Sequence, residues 1–147
     1  MIEPLRIEFT IASSAGHAFQ VWTEHISDWW PTNHTVSAEL DIAVVLEPRL
    51  SGRIFERTHE GHEFDWGEIT AWEPPHRLGY RWHISRDRAD ATDVAITFTP
   101  VGPATTRVEI VHTGWERLGE DGQDWRDRNR GGWDGVLPHF IEHVERA

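Results

Sequence analysis

Between Asp65 and Ser85 the chain reads DWGEITAWEPPHRLGYRWHIS. Two runs rich in aromatic and β-branched residues flank Glu73-Pro74-Pro75-His76. Proline fixes φ and lacks an amide donor, so this turn continues neither a strand nor a helix. The pattern predicts an antiparallel hairpin. Trp66 and Trp72 lie an even number of residues apart in the first arm, and Trp82 sits in the second. Strand alternation therefore gathers large rings on one face, with Glu68 among them. A face this aromatic must either pack on a broad apolar partner or line a pocket.

The rest of the chain supplies such a partner. Leu5, Ile7, Phe9 and Ile11 alternate with polar residues, as in a half-buried strand. Ser13 or Ser14 can cap a helix from about Ala15 that places Phe19, Trp22 and Ile26 on one face. Trp29-Trp30-Pro31 closes it. Strand-like stretches follow at Thr35–Leu46, Gly52–His59 and Phe64–Trp72, with a turn at Glu60-Gly61. The runs Asp93–Pro100 and Thr105–Thr113 form a last hairpin around Gly102-Pro103. From about Asp121 the period changes to 3.6, with Trp125, Asn129, Gly132, Trp133, Val136, Leu137, Phe140 and Val144 on one face. Pro138 removes one backbone donor and should bend this long helix, and Gly131, Gly132 and Gly135 weaken its intrinsic propensity. Glycines there fit a helix backbone that lies close against something flat. The order of elements points to an α+β domain spanning residues 1–147, one antiparallel sheet with a long C-terminal helix across its concave face.

Composition narrows the function. The formal net charge is −11, and the 14 cationic side chains are all arginines. Phosphate binding draws its affinity from cations, so nucleic acid is not an expected partner. Without cysteine there is no disulfide, thiolate metal site or cysteine nucleophile. The first residues lack a basic leader with an apolar core, and no run approaches the roughly 18 apolar residues of a membrane span. A cytoplasmic location without membrane insertion is expected. No residue pattern specifies a homodimer, although one is compatible with the sequence.

GEITAWEPPHRLGYRW resembles the pattern G-E-(V/I)-x-x-x-x-P-P-x-R-L-x-x-x-W, and VAITFTPVGPATTRVEIVHTGW with GGWDGVLPHFIEHV resembles the closing hairpin and helix of the same group. That group is the SRPBCC (START-like, Bet v 1-like) superfamily, in its branch similar to the C-terminal domain of the heat-shock ATPase activator. The resemblance implies a helix-grip fold, a curved antiparallel sheet wrapped around the C-terminal helix with a cavity between them. Because the superfamily includes lipid carriers, polyketide cyclases and chaperone activators, it fixes fold more firmly than chemistry.

Alternation puts Leu78, Tyr80, Trp82 and Ile84 on one face, with Val94, Ile96 and Phe98, and with Val108, Ile110 and His112. The residues expected to line an apolar cavity are Trp29, Trp66, Tyr80, Trp82, Phe98, His112, Asn129, Trp133, Leu137 and Phe140. Catalytic candidates are Glu56, Glu68 and His112, which can exchange protons if they face the interior. Trp66 and Ile69 compete for the inward side of one arm, so the direction of Glu68 stays open. His139-Phe-Ile-Glu142-His143 fits an inverted H-x-x-E-H pattern, but the chain offers no downstream ligand helix. No glycine-rich nucleotide loop occurs, and neither metal nor cofactor is expected. The leading expectation is a protein that binds a small hydrophobic or aromatic ligand. The alternatives are a polyketide cyclase or hydratase, and a chaperone-interaction module.

Overall fold

The computed structural model describes residues 2–146. Seven strands, β1 (Leu5–Ile11), β2 (Ala43–Leu46), β3 (Arg53–Arg57), β4 (Glu63–Glu73), β5 (Arg77–Trp82), β6 (Thr92–Gly102) and β7 (Thr105–Thr113), form one sheet. Their spatial order is β1-β7-β6-β5-β4-β3-β2, and every neighbouring pair is antiparallel. Helices α1 (Ala15–Thr23) and α2 (Ile26–Trp29) separate β1 from β2, and α3 (Gly122–Arg146) closes the chain. This is the helix-grip arrangement, an α+β sheet with a long C-terminal helix on its inner face.

Local chemistry explains the boundaries. Ser14 caps α1 by accepting a hydrogen bond from the His17 amide at 3.2 Å. The single helical stretch expected as far as Ile26 is two helices, divided at Glu24-His25. The stretch Thr35–Leu46 is mostly loop, and only Ala43–Leu46 joins the sheet. Part of the cause is that the Val36 and Ser37 amides bond to the Glu56 carboxylate instead of to a strand. Pro138 lies inside α3.

The core lies between sheet and helices. Leu78, Val94, Ile96, Phe98, Val108 and Ile110 line the sheet side, and Trp133, Val136, Leu137, Phe140 and Val144 line α3. Trp22 sits at the centre, with ring centroids 4.8 Å from Phe140, 5.1 Å from Trp29 and 6.1 Å from Trp133.

Strand β4 carries the irregularity that decides its faces. Ile54 pairs with Gly67 but Phe55 pairs with Asp65, leaving Trp66 as an extra residue opposite β3. A second register shift falls between Ile69 and Ala71 opposite β5. Each extra residue reverses the alternation. Trp66 and Ile69 are therefore both buried, although they lie an odd number of residues apart. Glu68 faces outward, where it is ion-paired with Arg88.

Candidate functional site

At one end of the sheet, three elements enclose a pocket of about 250 Å³. The loop after α2 contributes Trp30, Asn33, His34 and Thr35, while the end of β5 and its following turn contribute Trp82, Ile84 and Ser85. The middle of α3 contributes Asn129, Gly132, Trp133 and Val136. Trp30, Trp82 and Trp133 make the walls aromatic, and short polar side chains edge the rim. The volume lies near the lower end of small-molecule sites, about 300–1,000 Å³.

The walls are held from behind. The Trp30 ring stands 5.0 Å from Trp66 and 5.9 Å from Trp82, and its indole N–H donates to the His34 carbonyl at 2.8 Å. That bond ties the wall to the loop carrying His34. Trp133 donates its indole N–H to His112 Nδ1 at 3.1 Å. Because an indole nitrogen can only donate, Nδ1 must accept and the His112 proton must sit on Nε2. Nε2 then donates to Thr92 Oγ1 at 2.6 Å, and the Thr92 hydroxyl donates to the Trp82 carbonyl at 3.3 Å. Both nitrogens of this fully buried ring are engaged, and burial lowers its pKa to about 3. His112 is neutral and links two walls of the pocket.

Glu56 is likewise enclosed, with no exposed surface. Its carboxylate accepts from the Val36 amide at 2.5 Å, the Ser37 amide at 3.1 Å, the Ser37 hydroxyl at 2.7 Å and the Trp66 indole at 2.8 Å. Burial pushes its pKa up, but the four donors together outweigh burial and hold the group below its ordinary value. It fastens the segment just beyond the pocket rim to β3 and β4. Neither Glu56, Glu68 nor His112 lines the pocket.

Of the residues expected to surround a ligand, Trp82, Asn129 and Trp133 line the pocket. Trp29, Trp66, Tyr80, Phe98, His112, Leu137 and Phe140 are buried behind it or in the core. The interior between sheet and helix is filled by the Trp22–Trp29–Phe140 cluster, so the open space lies at its edge. Asn129 donates its amide to the Trp125 carbonyl within α3, leaving its oxygen toward other partners. Sequence periodicity missed Trp30, Asn33, His34, Thr35 and Ser85, which stand on loops where no alternation operates. The adjacent pair Trp29-Trp30 was the available signal, since neighbouring large rings ahead of a proline cannot both face one core.

Residues 12–145 match the family described as Activator of Hsp90 ATPase homolog 1-like protein. No curated protein matches the chain. Among solved structures, the anthrahydroquino-gamma-pyrone synthase Txn09, complexed with SUM, is 33% identical with a TM-score of 0.61, and the likeness covers 84% of each chain. CalC, a self-sacrificing resistance protein from Micromonospora echinospora, is 25% identical with a TM-score of 0.70, covering 97% of this chain and 94% of that one. An HSP90 activator from Plasmodium falciparum is 17% identical, with a TM-score of 0.66 over 96% of this chain and 94% of that one, which is a likeness of fold alone. With its sheet and helix order, its paired-proline hairpin and a match over nearly its whole length, the chain belongs to the Activator of Hsp90 ATPase homolog 1-like family of the SRPBCC superfamily.

Proposed function

We propose that the protein binds a small, flat aromatic molecule of the polyketide kind in the pocket walled by Trp30, Trp82 and Trp133. The observation that carries this reading is the convergence of three indole rings on one opening with a polar rim. Flat faces offer large apolar contact to a ring system, and Asn129, Thr35 and Ser85 offer hydrogen bonds that orient it. The 33% identity to a synthase of an aromatic pyrone supports the same ligand class. Calorimetric titration with hydroxyanthraquinones tests it. Trp82→Ala removes one wall and should weaken binding by about tenfold or more. Equal affinity for the variant and the native protein would place the ligand elsewhere.

The likeness to a synthase also favours a second reading, in which the bound aromatic undergoes a cyclisation or hydration. Such chemistry needs a group that moves a proton within reach of the ligand. Glu56 and His112 already spend their polar atoms on the pocket's framework. Their part in that reading is to hold the walls. Turnover of a polyketide substrate, with product identified by mass, separates an enzyme from a carrier.

A further inference from the structure

We propose that His34 is the proton acceptor of this pocket, taking a hydrogen bond, and in a reaction the proton, from a phenolic or enolic hydroxyl of the bound aromatic. The inference rests on the pocket reading above and names the functional group that the ligand must carry.

Among the eleven residues lining the pocket, His34 is the one with a side chain that titrates. The others are aromatic, aliphatic, amide or hydroxyl groups. Among the described residues, no hydrogen bond or ion pair engages the His34 ring, in contrast to the fully engaged ring of His112. The backbone around it is fixed, because the His34 amide donates to the Pro31 carbonyl at 3.1 Å and its carbonyl accepts from Trp30. A positioned ring with free capacity is what proton exchange with a ligand requires.

Helix α3 makes room for that ring. A Cβ added at Gly135 would stand 2.7 Å from His34 Nε2 and 3.0 Å from its Cε1. Any larger residue at 135 would push the imidazole away from the helix. This gives a specific role to one of the glycines that weaken the middle of α3. Burial first, and His139 second, lower the His34 pKa from 6.5. The ring is thus neutral near pH 7 and has a lone pair to offer. In the transfer the ligand O–H bond breaks, an N–H bond forms on the imidazole, and the electron pair stays on the ligand oxygen. The proton returns when the ligand leaves or its product is protonated.

The test uses the whole chain and two probes, 2,6-dihydroxyanthraquinone, whose hydroxyls lie away from the ring carbonyls and are free to donate, and the unhydroxylated anthraquinone, with Kd read from quenching of tryptophan emission. The native protein should prefer the hydroxylated probe by about tenfold, the scale of one good hydrogen bond. Its bound visible band should move toward that of the phenolate. In His34→Phe the preference should collapse toward one and the band should revert. Gly135→Ala, which leaves His34 in the sequence but displaces its ring, should show the same collapse. An undiminished preference in both variants would overturn the assignment while leaving the pocket reading intact. Failure of the native protein to bind either probe would overturn the pocket reading and the assignment with it.

Discussion

At the scale of single residues, two buried ionisable groups hold the site, and each leaves a signature in the pH dependence of stability. His112 is neutral when folded, with a pKa near 3, and ordinarily titrates at 6.5. The unfolded chain therefore binds the extra proton first as pH falls. The contribution of this neutral ring is complete above 6.5 and is lost progressively below it. Between pH 6.5 and 4.5 that amounts to about 2–3 kcal/mol. In urea titrations, His112→Leu should be less stable at pH 7, by about 1–3 kcal/mol, because it strands the Trp133 indole N–H and removes the bond to the Thr92 hydroxyl. It should also lose most of the native slope between pH 6.5 and 4.5. An unchanged slope would mean that another group carries the acid sensitivity.

Glu56 acts in the opposite sense of charge and in a lower window. Its folded pKa is held below the ordinary 4.5, so its contribution is present above that value and disappears as pH falls through the folded pKa. Removing the carboxylate strands three amide or indole N–H groups and one hydroxyl in the interior. Glu56→Ala should cost about 3–5 kcal/mol, the range for breaking a buried charged network. Glu56→Gln should cost less, since its oxygen still accepts two bonds. Chemical denaturation of the three proteins at pH 7 gives the ranking, and equal stability of native and Ala forms would contradict the clamp.

At the scale of elements, β4 shows where strand alternation stops being a guide. The sequence places Trp66 and Ile69 in competition because strict alternation allows only one of them inward. The register shift at Trp66, opposite β3, reverses the alternation between the two and lets both be buried, and that leaves Glu68 outside. Gly67, next to that shift, lets β4 lie close against β5, because a Cβ there would stand 2.0 Å from the Arg81 carbonyl oxygen. Gly67→Ala should destabilise the fold by about 2 kcal/mol or more through backbone displacement, read as a drop in Tm. A neutral effect would show that the strand accommodates the methyl group. The hairpins, the first strand and the last helix were legible because burial repeats along them with periods of two and 3.6. Thr35–Leu46 read as a strand from composition, yet the amides of Val36 and Ser37 are taken by a side chain twenty and nineteen residues away. No local pattern encodes that bond. The loop half of the pocket, with Trp30 and His34, was hidden for the same reason.

At the scale of the whole molecule, the sheet and α3 share one buried core, and the pocket lies beside it. The sequence led to an apolar cavity between them, with Phe98, Leu137 and Phe140 among its expected lining. In the structure these side chains fill that space, with Trp22 among their neighbours. The exposed large apolar residues stand apart in the chain, Leu40 and Leu50 on loops and Val101 near the end of β6. The pocket brings the partly exposed rings of Trp30 and Trp82 together with Trp133, which is where a ring-shaped ligand finds flat walls. None of the described helices is long and apolar enough to cross a membrane.

Nine tryptophans give nine indole N–H resonances, each a reporter at a known place in the fold. A ¹⁵N-edited spectrum recorded while 1,8-dihydroxyanthraquinone is added tests the aromatic-pocket reading directly. The largest shifts should fall on Trp30, Trp82 and Trp133, with Trp72 and Trp115 nearly still. Shifts that leave those three unmoved, or that centre on Trp72 or Trp115, would contradict it.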